Sequence, residues 1–112
     1  MWKLDMSWVT DILLIFSIGE FFDEDEEPEK LLALATINDW LITNDFTSLT
    51  NLDQHVIGGK GMQACVYGGA FNHFRTQDFI KVVKSQLWKQ PQSVQLLIQD
   101  EDDEYFTMHT IK

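Results

Sequence analysis

The sequence predicts an α+β fold, in which a small, mainly antiparallel sheet carries three main helices and the chain closes on a C-terminal β-hairpin. Three observations predict it. Segments around 30–42 and 77–88 repeat apolar residues at helical spacing. Residues 62–74 are apolar and β-rich around the pair Gly68-Gly69. At the C-terminal end, the β-rich runs Val94–Ile98 and Tyr105–Ile111 flank the acidic stretch Asp100-Glu101-Asp102-Asp103-Glu104, as strands flank a hairpin tip.

Each element has its own grounds. Ser7 suits a helix N-cap, and Trp8, Ile12, Ile15 and Phe16 share one helical face, so residues 7–17 read as a first helix that Gly19 ends. Pro28 suits a first helical turn, and Lys30–Ile42 continue as the second helix. Acids before and within that turn favour its positive dipole end, each by roughly 0.3–1 kcal/mol before screening. From Thr43 to Gly61 the chain turns polar and glycine-rich, which predicts a long connection with at most one short helical turn. Met62–Tyr67 and Ala70–Phe74 read as strand, one bent or two in a hairpin, with a bulge or bend at Gly68-Gly69. Thr76 is expected to cap the third helix, Gln77 to about Trp88. Its Phe79, Val82, Val83 and Leu87 face inward, its lysines lie outward or near its end, and Pro91 stops it. Trp8, Trp40 and Trp88 are expected to fill the core.

At 112 residues the chain is expected to be a single domain, 1–112, that buries roughly 65% of its unfolded surface. Eighteen acids oppose eight bases, giving a net charge of −10, and Arg75 is the single arginine. These numbers argue against direct nucleic-acid binding, because phosphate recognition needs clustered Lys and Arg. Cys65 has no second cysteine to pair with, which fits a reducing, cytoplasmic location. The most apolar stretch, Ile12–Ile18, is far shorter than the roughly 20 residues of a membrane span, and no secretory leader is evident.

Eleven of the eighteen acids fall in Asp23–Glu29 and Asp100–Glu104. Solvated loops explain each run singly, but concentrating like charge costs self-repulsion, and such fields steer basic partners. Both runs together point to an interaction surface. Neither has the glycine and terminal glutamate spacing of an EF-hand, and the histidines and Cys65 lack zinc-site spacing, so no metal, cofactor or catalytic residue is assigned. Gly58-Gly-Lys-Gly61 lacks the Walker pattern and reads as a flexible loop. Phe22 beside the first run, and Tyr105 beside the second, are candidate anchor rings among the charges.

The closing segment Gln95–Phe106, with its acidic tip, and the charge distribution over a small chain resemble bacterial immunity proteins, such as those of contact-dependent growth inhibition systems. The resemblance implies a non-enzymatic cytoplasmic protein, a monomer or weak dimer, that neutralises a cognate basic toxin domain such as a nuclease. The expected contact residues are Asp100, Glu101, Asp102, Asp103, Glu104 and Tyr105, then Phe22, Asp23, Glu24, Asp25, Glu26 and Glu27. Two alternatives stay open. One is a DNA-mimic inhibitor of a nucleic-acid enzyme; the other is a small ligand-binding or enzyme domain using Cys65, Tyr67 and His73.

Overall fold

The computed structural model describes residues 8–21, 31–56 and 58–111. Residues Val9–Ser17 form a strand, β1, in which Ile12, Leu14 and Phe16 are buried and the intervening Leu13 and Ile15 are half-buried. The helix expected over 7–17 is therefore corrected to a strand over Val9–Ser17, and its expected N-cap, Ser7, lies outside the described residues. The spacing of Trp8, Ile12, Ile15 and Phe16 fits a helix, but an apolar run rich in β-branched residues fits a central strand equally, and sheet pairing on both sides decides. Trp8, expected in the core, precedes β1 and is exposed. Ser17 caps a following 3-10 turn, Ile18–Glu20, by accepting the Gly19 N–H at 3.0 Å.

β1 is the centre of a five-stranded, wholly antiparallel sheet of order β2-β3-β1-β4-β5. The other strands are β2 (Thr50–Asn51), β3 (Ala64–Asn72), β4 (Gln95–Asp100) and β5 (Thr107–Thr110). β3 runs unbroken through Gly68-Gly69, pairing them with Leu13 and Ile12, so of the expected bulge or bend the bulge is absent, and the two runs are one strand and not a hairpin. Close packing explains these glycines instead. A Cβ at Gly68 would lie 2.8 Å from Leu52 Cδ1 and 3.0 Å from the Ile12 carbonyl oxygen, and one at Gly69 would strike the Phe71 ring.

Two helices, not three, complete the described α+β architecture: α1 (Leu32–Thr43) and α2 (Thr76–Ser85). α1 ends in a Schellman motif, with Phe46 N–H on the Leu41 carbonyl at 2.8 Å and Asp45 N–H on that of Ile42 at 3.1 Å. Asp45 there takes the left-handed conformation, φ 67°, that glycine usually supplies. α2 is shorter than expected at both ends. Arg75, not Thr76, occupies the N-cap, and the helix stops at Ser85, well before Pro91, which opens a 3-10 turn. Leu87 consequently lies outside the helix and is 95% exposed, while Trp88 turns inward and donates its indole N–H to the Val83 carbonyl at 2.9 Å.

The core lies on one face of the sheet. Ile12, Leu14 and Phe16 of β1, Cys65, Tyr67 and Phe71 of β3, and Leu96 and Ile98 of β4 pack with Leu34, Ile37 and Leu41 of α1 and Phe79, Ile80 and Val83 of α2. Each large apolar side chain removed from water contributes about 1.5–3 kcal/mol before entropy is counted. Rings reinforce it: Phe16 stacks on Tyr67 at 5.9 Å, and Trp40, Phe46, Phe71, Phe74 and Phe79 form a second cluster under the helices. The opposite face carries Asp11, Leu13, Ile15, Val66, Gly68, Leu97 and Met108, and neither helix contributes to it.

Candidate functional site

The acidic stretch joins β4 to β5, and its five acids do not act alike. Asp100 ends β4 and accepts the Thr10 hydroxyl on Oδ1 at 2.6 Å. Glu101 accepts the Val9 N–H on Oε1 at 3.0 Å. Asp103 donates its N–H to the Asp100 carbonyl and accepts the Asp100 N–H on its own Oδ2, both at 2.9 Å. These three residues therefore fasten the turn to itself and to the start of β1. Asp102, Glu104 and Tyr105 project from that fastened base, with Tyr105 74% exposed. The turn presents carboxylate and aromatic groups from a fastened base because three of its own acids hold it down.

Phe22 and Asp23, Glu24, Asp25, Glu26 and Glu27 lie outside the described residues, so the structure brings together only the second half of the expected contact set. Phe21, which leads into the first run, follows the far end of β1 from Thr10 and the acidic turn. Thr10 and Ser17 are about 23 Å apart by strand rise.

Sequence reasoning missed what lies next to the turn. A depression of about 420 Å³ opens on the helix-free face of the sheet, floored at Gly68 and bordered by Asp11, Leu13, Leu52 and Phe106. A smaller polar cleft of about 220 Å³, lined by Asp11, Gln99, Asp100, Glu101 and Asp103, adjoins the base of the turn. The two share Asp11, an exposed carboxylate in the middle strand. The legible signals were a lone acid inside the apolar run of β1 and the alternation that puts Phe106 on the same face as Met108. Among the described residues, no group of three or more His, Cys, Asp or Glu is placed to hold a metal ion.

The Cys65 region is built as core. Cys65 is buried against Phe16 of β1, and burial, with the charges of Asp53 and Glu20 nearby, pushes its thiol up to about 11. A thiol held protonated at neutral pH is a poor nucleophile. His73 follows the other end of β3, about 26 Å along the strand, so it does not pair with Cys65. Glu20, also unforeseen, is 2% exposed and joins the distant end of the chain: its carboxylate accepts the N–H of Lys89 at 2.9 Å and of Gln90 at 2.8 Å. Arg75 is engaged with Asp78 and Asn44, each at 2.6 Å, tying α2 to the end of α1.

Among the described residues, no helix is long and apolar enough to cross a membrane. Compared with protein families, with curated proteins and with solved structures, the chain shows no match.

Proposed function

We propose that this protein is a cytoplasmic inhibitor of the immunity type, which binds a basic toxin domain, a nuclease by preference, and neutralises it. The observation that carries the reading is the acidic β4–β5 turn, fastened by Asp100 and Glu101 and presenting Asp102, Glu104 and Tyr105. A nuclease must offer Lys, Arg or His to the phosphates of its substrate. Carboxylates on a turn that is already ordered occupy those groups without a further entropic cost of ordering the loop. Long-range attraction from a chain of net charge −10 speeds the encounter, and an aromatic ring seated in the partner slows dissociation.

The experiment is capture from lysate of the native host containing the product of the adjacent gene, with wild type and a triple variant, Asp102→Asn/Glu104→Gln/Tyr105→Ala, in parallel. A single basic protein retained at one-to-one stoichiometry by wild type, released by the variant, and losing its toxic activity on binding is the expected result. Recovery of scattered basic proteins by both, lost at moderate salt, overturns the reading.

A further inference from the structure

We propose that the depression on the helix-free face of the sheet is a receptor for one arginine side chain of a protein partner. Three features define the occupant. The walls are apolar, with Leu13 of the central strand, Leu52 from beyond β2 and the ring of Phe106 around a floor kept bare by Gly68. The rim carries one carboxylate, Asp11, which is exposed and has no hydrogen bond or ion pair among the described residues. The ground beyond Asp11 is acidic, because the adjoining cleft is lined by Asp100, Glu101 and Asp103.

A purely apolar side chain would satisfy the walls and leave the Asp11 carboxylate unanswered. A small cation would meet the carboxylates and leave the walls wet. A long side chain with an aliphatic stem and a cationic head meets both, with its stem along Leu13 and Leu52. The aromatic wall selects between the two residues of that kind. A guanidinium is weakly hydrated, stacks on a ring face and presents a planar fork to a carboxylate, whereas an ammonium is compact and strongly hydrated. Phe106 and Asp11 lining one depression therefore favour arginine over lysine. Gly68 keeps the receptor open: a side chain there would press on Leu52 and fill the floor.

The inference deepens the proposed binding role by naming the contact next to the acidic turn, and it rests on that reading for its biological partner. The test needs no partner. The ¹⁵N-labelled protein is titrated with N-acetyl-arginine amide, N-acetyl-lysine amide and N-acetyl-norleucine amide while backbone amide shifts are followed. Arginine amide is expected to move the amides of Asp11, Leu13, Gly68 and Phe106, with affinity about fivefold above either of the other two. Asp11→Asn and Phe106→Leu, each checked for an otherwise unchanged spectrum, are expected to weaken it to the level of norleucine amide. Equal shifts from norleucine or lysine amide, shifts confined to Asp102–Glu104, or no shifts at all overturn the assignment. The two readings fail separately. Arginine binding without a captured toxin keeps the receptor and removes the immunity role; a captured toxin with a silent depression does the reverse.

Discussion

Glu20 offers the sharpest test of how the fold is held. Its two carboxylate oxygens receive the N–H groups of Lys89 and Gln90, residues that leave α2 on the way to β4, and the side chain is 2% exposed. Substituting Glu20→Gln keeps the shape but turns one acceptor into an NH₂ that faces a backbone N–H. One hydrogen bond to a carboxylate, worth about 1.5–3 kcal/mol, is lost, and one half-buried N–H is left without its acceptor at about 1 kcal/mol, partly offset by the easier burial of a neutral amide. The net loss is about 2–4 kcal/mol, a large share of the stability of a small domain. At about 4 °C per kcal/mol the melting temperature falls by roughly 8–16 °C. Urea unfolding followed by tryptophan fluorescence measures it, and amide exchange at Lys89 and Gln90 is expected to accelerate. A variant within about 0.5 kcal/mol of wild type would show that the Glu20 carboxylate does not hold Lys89 and Gln90 in place.

Leu14→Ala removes a fully buried side chain from the central strand and is expected to cost about 2–5 kcal/mol, while Leu87→Ala, at a position 95% exposed, stays within about 0.5 kcal/mol. The same urea titration compares them, and a costly Leu87→Ala would restore Leu87 to the core. Asp45→Gly relieves a left-handed residue in the Schellman motif and is expected to stabilise by about 0.5–1 kcal/mol; a destabilised variant would show that the Asp45 side chain contributes what its backbone costs. Cys65 titrates higher folded than unfolded, so the unfolded chain loses its proton first as pH rises. Its contribution to stability is complete below about pH 9 and is lost progressively between about 9 and 11. Alkylation of folded protein at pH 8 is accordingly expected to be far slower than in urea, and a Cys65→Ala variant to have a flatter pH profile over that window.

The parts of the fold legible in the sequence were those with one compatible period. α1 and the closing hairpin are in this group, since the hairpin's alternation is bounded by a charged tip and the apolar spacing of α1 suits no strand. β1 was not legible, because Ile12 to Phe16 is apolar on both sides and a run of that length suits either a helix or a buried strand until its neighbours are known. The glycine pair reads locally as a bulge or bend, because nothing near it in the sequence shows that Leu52 and Phe71 press on it. In the candidate site, charge located the turn, but only tertiary contacts divide it into Asp100 and Glu101, which bind β1, and Glu104 and Tyr105, which project. Phe106, Asp11 and Leu52 come from three distant stretches of chain, and nothing local in the sequence places them around one depression. Glu20 looked like one acid among many because its partners lie about seventy residues away.

The proposed role rests on recognition of a basic protein by the fastened acidic turn. The most direct measurement is the affinity of the purified captured partner for wild type and for the Asp102→Asn/Glu104→Gln/Tyr105→Ala variant, by calorimetry at about 50 mM and about 300 mM salt, concentrations that straddle the onset of strong screening. Wild type is expected to lose at least about tenfold in affinity across that range, and the variant to bind at least about tenfold more weakly at low salt with a flatter salt dependence. Equal affinity of the two proteins at low salt would contradict the proposed role.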